Sequence, residues 1–323
     1  MSECFERKVT LLGLFDRINN AVFLKEDSEA EKQLRALQEL EASLSGDVLR
    51  KFEQEISKVE AGIVGEKQVH FELENSHIPM FVLHDLFLEY EGLTAQIDYM
   101  IFTRKNTYII ECKNMYGDIE INNAGNFIRT YQYGGRRIKE GIYSPITQNQ
   151  RHLALIKSLR GDSMNVLKKV IFDKEFYNNY HGIVVLANPK TVLSARYAKR
   201  EIKEQVIRAD QLDDYIKDYD GAKSYNLYSE KEMEDRAEFF LKNHKNNPVD
   251  YVERFRVMVE ESKKAAASES DKASDTEKDA GTPPSCPMCG AQMVLRTAKR
   301  GSNTGNQFYG CPNYPRCKGI RSL

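Results

Sequence analysis

Two adjacent apolar runs carry charged residues where a buried strand should carry none. They are Gln96-Ile97-Asp98-Tyr99-Met100-Ile101-Phe102 and Tyr108-Ile109-Ile110-Glu111-Cys112-Lys113. Their length and their β-branched and aromatic content predict strands, with Arg104-Lys105-Asn106 as the polar turn between them. An unpaired carboxylate in such a run is costly unless a cation or hydrogen bonds compensate it. Side chains alternate along a strand, so Glu111 and Lys113 share a face. If the two runs pair as a hairpin, Asp98 reaches that face too. The expected product is two carboxylates able to hold a hard divalent cation, with an ammonium beside them. The bare spacing is a weak signal, and a Glu111–Lys113 ion pair on a wet sheet face is the competing reading. The Ile, Tyr, Met and Phe flanks argue against a wet face.

Upstream, Ala61-Gly62-Ile63-Val64-Gly65-Glu66-Lys67 reads as a helix opening near two glycines. Glu66 then lies close to the helix start, where a carboxylate also complements the helix dipole. Downstream, Pro145 suits the first turn of a helix. That helix would carry Gln148, as a hydrogen-bond donor or as a solvated residue. Cys112 falls on the strand face opposite Glu111 and is expected to be a small buried hydrophobe. From Arg129 to Arg160 there are seven Lys or Arg against the single acid Glu140, a net of 7 − 1 = +6. This stretch includes Arg136, Arg137 and Lys139, close to Tyr131 and Tyr133. Phosphate binding requires such a local excess; a solvated basic face is the alternative.

Four of these segments stand in a recognisable order: Gly62-x-x-Gly65-Glu66, Gln96-Ile97-Asp98, Glu111-Cys112-Lys113 and Pro145-x-x-Gln148-Asn149. Together they resemble the nuclease-related domain (NERD) of the PD-(D/E)xK nuclease superfamily. The resemblance covers residues 61–190, including the strand-like Gly182-Ile183-Val184-Val185-Leu186-Ala187. Ile97 stands before Asp98 where the superfamily often has proline. The resemblance implies an α/β fold with a mixed central β-sheet flanked by helices, restriction-endonuclease-like. It also implies that Asp98, Glu111 and the main-chain carbonyl of Cys112 ligate Mg²⁺ or Mn²⁺. Such cations take oxygen ligands, often only one or two carboxylates plus substrate phosphate. By the same resemblance, Glu66 completes or orients the metal shell, and Lys113 positions water or offsets charge on the phosphorane. Gln148 touches the substrate backbone or Lys113.

Four of the six cysteines fall in the last 38 residues, as Cys286-x-x-Cys289 and Cys311-x5-Cys317, with 21 residues between the pairs. That spacing predicts a tetrahedral Cys4 zinc site in a short ribbon. So small a segment cannot bury enough core to fold alone, and Zn²⁺ would supply the missing free energy. Two disulfides in a secreted chain are the alternative. Met1-Ser2-Glu3-Cys4-Phe5-Glu6-Arg7 has no signal-peptide pattern, so reduced thiols and a cytoplasmic, nucleoid-associated protein are expected. The segment containing Phe308-Tyr309-Gly310-Cys311-Pro312-Asn313-Tyr314-Pro315 resembles the C-terminal zinc finger of bacterial type IA DNA topoisomerases, which implies binding to single-stranded DNA. Its charges agree: Arg296, Lys299, Arg300, Arg316, Lys318 and Arg321 give +6 with no acid, on a chain of net −1. Tyr314 is the expected stacking aromatic; Phe308 is as well suited to the module's core.

The expected layout has four parts: an N-terminal helical region (1–60), the nuclease-related domain with a helical extension (61–260), a disordered linker (261–285) and the zinc finger (286–323). In residues 26–60 a helical pattern of Leu34, Leu37, Leu40, Leu44, Val48, Phe52, Ile56 and Val59 predicts packing against the core. A shorter helix is expected within the first 25 residues, and Val206-Ile207-Arg208-Ala209-Asp210-Gln211-Leu212 reads as a short strand running into a helix capped by Asp210. Residues 261–285 lack Val, Ile, Leu, Met, Phe and Tyr, and such a tether reaches about 30 Å. No apolar run is long enough to cross a membrane, and no Gly-x4-Gly-Lys-Ser/Thr loop suggests an ATPase. The reading is a metal-dependent nuclease acting on DNA, single-stranded or branched, in repair, recombination or defence. A DNA-binding adaptor that no longer cuts is the alternative. Protein partners are not legible.

Overall fold

The computed structural model describes residues 18–41, 46–223, 227–247, 252–253, 255–258, 260, 283–298 and 306–322. It divides into two compact units, Met1–Val259 and Glu260–Leu323. The first opens with β1 (Ala21–Lys25), α1 (Glu29–Glu41), α2 (Gly46–Glu74), β2 (Met80–Tyr90), β3 (Leu93–Thr103) and β4 (Thr107–Lys113). Then come β5 (Asp118–Ile121), β6 (Phe127–Tyr133), β7 (Arg136–Ile142), α3 (Pro145–Asp162), α4 (Val166–Asn179) and β8 (Tyr180–Leu186). The unit continues with β9 (Leu193–Ser194), α5 (Arg200–Lys203), β10 (Val206–Arg208), α6 (Leu212–Lys223) and α7 (Glu230–Lys242).

Six strands form one mixed sheet in the order β1-β2-β3-β4-β8-β10. β2, β3 and β4 pair antiparallel, while β1 joins β2, and β8 joins β4 and β10, in parallel. Strands covered on both faces read as near-continuous apolar runs, which is why Met80–Leu88 shows so little alternation. On one side Phe81, Leu83, Met100, Phe102 and Ile109 join Leu153 and Ile156 of α3, Phe176 of α4, and Met233 and Phe240 of α7. On the other, Val82, Tyr99, Ile101, Ile110 and Cys112 join Val69 and Leu73 of α2, and Leu212 and Ile216 of α6. Cys112 is thus the buried apolar residue expected. A second sheet, β7-β6-β5-β9, packs Ile119, Ile121 and Phe127 with Ile146, Val184 and Leu186. The basic 129–160 stretch falls on the β6–β7 hairpin and α3. Gly134 and Gly135, at φ +56° and +74°, make the tight turn of that hairpin.

α2 lies close to the end of β4 because Gly65 has no side chain. A Cβ there would meet Asn114 Cβ at 2.6 Å and Cys112 Sγ at 3.3 Å, whereas one at Gly62 meets nothing within 4 Å. Gly65→Ala should therefore destabilise by about 1–3 kcal/mol through overpacking, despite alanine's better helix propensity. Gly62→Ala, on the open face of the same helix, should stabilise by about 0.5–1 kcal/mol. Thermal melting of the two variants side by side checks the close approach.

Several local expectations need correction. Ala21–Lys25 is an edge strand, not a helix; residues 1–17 lie outside the described residues. α2 runs unbroken from Gly46 to Glu74, so Glu66 sits in mid-helix and does not complement a helix start. The 60/61 boundary falls inside that helix. In the 26–60 pattern, Leu37, Phe52 and Ile56 bury against Val252 and Phe255, the two phenyl rings edge-on at 5.0 Å. Leu44 and most of the linker, 261–282, lie outside the described residues. Asp210 takes the Arg208 guanidinium at 3.0 and 3.1 Å, and the side chain that accepts the Arg208 N–H is that of Gln211, at 3.1 Å. Among the described residues no helix is long and apolar enough to cross a membrane.

The second unit holds a three-stranded antiparallel sheet of β11 (Val294–Thr297), β12 (Gln307–Gly310) and β13 (Ile320–Ser322).

Candidate functional site

The β3–β4 ladder stops at Tyr99↔Ile110. One rung further Asp98 and Glu111 would stand opposite each other. There Asp98 Oδ2 accepts the main-chain N–H of Cys112 at 2.6 Å, so a side chain replaces the missing backbone rung. The strand alternation slips at the same point. Ala95 and Ile97 share a cluster with Met100 and Phe102, and on β2 Leu83 shares it with Leu86. Between those leucines Asp85 has φ +51°, a left-handed backbone that few side chains adopt. Its carboxylate accepts the Glu29 N–H at the start of α1, at 2.6 Å.

Three carboxylates then act on one another. Burial, followed by the charges of Glu111 and Glu66, holds Asp98 well above the usual carboxylate range. Burial also raises Glu111, against the opposing pull of Lys113 and of a Gln148 hydrogen bond. Lys113 donates to Glu111 Oε1. Burial pulls the Lys113 ammonium down, but Glu111 and Asp98 outweigh it and keep it charged. Glu111 is 1% exposed, yet its Oε2 accepts no hydrogen bond. A buried carboxylate oxygen without a donor, beside a second carboxylate that resists ionisation, is the chemistry a divalent cation relieves. The residues present therefore fit a hard cation held by Asp98 and Glu111.

α3 closes this site from above. Ser144 caps it, with Pro145 in the first turn as expected. Asn149, buried at 2% exposure, donates to the carbonyls of Ile109 and Ile183 at 3.0 and 3.1 Å, pinning the helix across β4 and β8. Gln148, the residue before it, hydrogen-bonds Glu111. His152 Nδ1 lies 3.7 Å from Glu111 Oε2 and has no hydrogen-bond partner. That distance is a contact, not a bond. Burial and then Lys113 hold the His152 pKa down to about 4, so the ring is neutral at pH 7. Glu66 enters from α2, with Oε2 2.9 Å from His84 Nε2.

Sequence reasoning thus placed Glu66, Asp98, Glu111, Lys113, Gln148 and Cys112 in one neighbourhood, and missed His84, Asp85 and His152. The signal for two of them was present: His84-Asp85 interrupts the apolar run Met80–Leu88 just as Asp98 and Glu111 interrupt theirs. Arg136, Arg137 and Lys139 stand exposed on β7, with Lys139 3.1 Å from Glu120. Arg129 lies over Tyr131 at 4.3 Å and Arg151 over Tyr143 at 5.6 Å, so cations and aromatics alternate along this surface. A cavity of about 520 Å³ lies away from the acid set, among α3, α4 and α7, beside Arg160, Tyr228 and Arg236.

In the second unit Cys286, Cys289, Cys311 and Cys317 bring their sulfurs within 4.8 Å of one another. Among the described residues no other group of three or more His, Cys, Asp or Glu ligand atoms is that tight. Cys286 and Cys317 sulfurs are 3.7 Å apart, and those of Cys289 and Cys311 3.4 Å. Disulfide sulfurs would be about 2.05 Å apart, whereas sulfurs on a tetrahedral zinc at about 2.3 Å stand about 3.8 Å apart. The set suits Zn²⁺. A Cβ on Gly319 would meet Cys286 Sγ at 2.3 Å, so only glycine passes that close to the cluster. Tyr314, Arg296, Arg316 and Lys318 are exposed; Lys299 and Arg300 lie outside the described residues. Phe308 lines a cavity of about 340 Å³ with Arg296, Tyr314 and Lys318, while Tyr309 packs on the core.

No curated protein and no solved structure matches the chain. Two family models do: residues 61–187 match the nuclease-related domain, and residues 284–323 match the topoisomerase DNA binding C4 zinc finger.

Proposed function

We propose that this protein is a metal-dependent nuclease that hydrolyses phosphodiester bonds in DNA, with a zinc ribbon that binds single-stranded or branched DNA. The observation that carries the reading is the parted pair of strands, where Asp98 and the donorless Oε2 of Glu111 face one another beside the charged Lys113. Asp98 and Glu111 would hold Mg²⁺ or Mn²⁺, with the Cys112 carbonyl as a further oxygen. When bound there, such a cation would supply water activation and polarisation of the scissile phosphate. The chain's own residues do the rest. Lys113, fixed by Glu111, offers a positive charge where negative charge grows on the phosphate oxygens. Gln148 also hydrogen-bonds Glu111, and α3 brings the neutral His152 ring to 3.7 Å from it. The exposed Arg136, Arg137 and Lys139 on the β6–β7 hairpin give the sugar-phosphate backbone a basic track, with Tyr131 and Tyr133 beside it. On the ribbon, Arg296, Lys318 and Tyr314 around one cavity support base stacking next to phosphate contacts.

The test is cleavage of labelled single-stranded, duplex and flapped DNA with Mg²⁺ or Mn²⁺, wild type beside Glu111→Ala. Metal-dependent cutting by wild type that is lost in Glu111→Ala is the expected result, and the substrate cut fastest identifies the target structure. Tight binding with no cutting by either protein would overturn the nuclease and leave a DNA-binding adaptor.

A further inference from the structure

Glu66 comes from α2, whose apolar residues pack on the Cys112 face of the sheet, whereas α3 covers the other face. Its placement therefore needs support of its own, and the structure supplies two clamps. The Tyr99 hydroxyl donates to the Glu66 carbonyl at 2.9 Å. His84 Nε2 lies 2.9 Å from Glu66 Oε2. The other ring nitrogen, Nδ1, is 2.9 Å from the carbonyl of Glu26. A carbonyl oxygen and a carboxylate both accept, so Nδ1 donates to Glu26 and Nε2 donates to Glu66 with both ring nitrogens protonated. The ring cannot swing away: it is 7% exposed and stacks on Tyr99 at 4.5 Å and 20°.

The residues that fix His84 belong to β1, α1 and the turn between them. Buried Lys25 donates to the His84 carbonyl at 2.9 Å and to the Asp27 carbonyl at 2.7 Å. Asp85, next to His84, holds the Glu29 N–H. A cavity of about 210 Å³ has Glu26, Ser28 and Glu31 on its wall together with Glu66, His84 and Tyr99. Residues 18–41 all lie outside the 61–187 family match.

We propose that His84 is the positioning residue for Glu66, and that through it the β1–α1 segment is a working part of the acid site. The inference rests on the nuclease reading. Outer partners of a metal site typically contribute 10–100-fold to affinity or activity, so a merely space-filling His84 and a positioning one predict different numbers.

The experiment is a double-mutant cycle on the full chain: wild type, His84→Ala, Glu66→Gln and the double variant. Mn²⁺-dependent cleavage, Mn²⁺ affinity by calorimetry and thermal melting are read for each. His84→Ala is expected to lose about 10–100-fold in cleavage and to bind Mn²⁺ more weakly. In the Glu66→Gln background the same change should cost almost nothing. His84→Gln, which keeps a donor towards Glu66, should recover most of the loss and covers the case of a His84→Ala that does not fold. Wild-type cleavage in folded His84→Ala overturns the inference, as do fully additive losses, or a folded His84→Gln as weak as His84→Ala. A wild type that neither cleaves nor binds Mn²⁺ at this site instead overturns the nuclease reading, and the inference falls with it.

Discussion

Asp98→Asn is expected to end metal-dependent cleavage, by more than about a hundredfold, while DNA binding and the fold remain. The loss should exceed that of an outer partner because, on the proposed nuclease reading, Asp98 would offer its oxygen to the cation directly. The fold should survive because asparagine is isosteric and its Oδ1 can still accept the Cys112 N–H that Asp98 now takes at 2.6 Å. A second consequence separates this site from a structural ion pair. Burial, then Glu111 and Glu66, push Asp98 well above its ordinary value of 3.8. A carboxyl whose folded pKa is raised binds its proton more tightly in the folded state. Its contribution is present at low pH and is lost as pH climbs from the unfolded pKa towards the raised folded one. Without metal, Asp98→Asn should therefore melt higher than wild type at pH 7, by about 2–4 °C for each kcal/mol relieved. The gap should close near pH 4. Adding Mg²⁺ should stabilise wild type and not the variant. Melting curves at both pH values, with and without Mg²⁺, decide it; a variant that cuts DNA, or responds to Mg²⁺ as wild type does, removes Asp98 from the site.

Stripping zinc from the ribbon should unfold it and leave the first unit intact. The ribbon's core is Cys286, Met293 and Cys311, with Ala291, Tyr309 and Cys317 packed against it. Three of those six are the ligands themselves, so without the ion almost no apolar core is left to hold three short strands. Amide spectra should show the 283–322 resonances collapse on chelation, or in Cys311→Ser, while signals from the large sheet stay dispersed. Zn²⁺ should restore the chelated protein but not the variant. Single-strand binding should weaken and lose salt dependence, since each lost phosphate contact takes about 0.7 from the log–log slope. Unchanged binding after collapse would place the DNA-binding surface on the first unit, with the β6–β7 hairpin as the first place to look.

Much of this architecture was legible in the sequence because buried charge is conspicuous. Asp98, Glu111 and Lys113 stand out in apolar strands, and four cysteines at metal-ligand spacing have few other uses in so short a segment. Pro145 announced its helix for an equally simple reason: a first-turn residue has no hydrogen bond to lose. What the pattern could not show was the slip at Asp85 and Asp98. Period-two alternation assumes a continuous ladder, and here a carboxylate substitutes for a rung, so neighbouring apolar residues change sides. Glu66 was placed at a helix start because two glycines suggested a break. Gly65 is instead a mid-helix glycine, required by the close approach to Asn114 and Cys112. Residues 21–25 were missed as a strand because five residues carry little periodicity, and their pairing partner lies more than fifty residues away.

The two outermost strands of the six-stranded sheet, β1 and β10, both lie outside the span 61–187 that matches the nuclease-related domain. The same span begins midway along α2. A fragment trimmed to it would keep the acid set and Lys113 but bare both margins of the sheet. The newly uncovered β2 is buried from Met80 to Leu88, and unpaired apolar margins recruit other chains. Such a fragment should come out of cells as aggregate, and its silence in an assay would say nothing about chemistry. A usable minimal fragment has to begin before Ala21 and continue past Lys242.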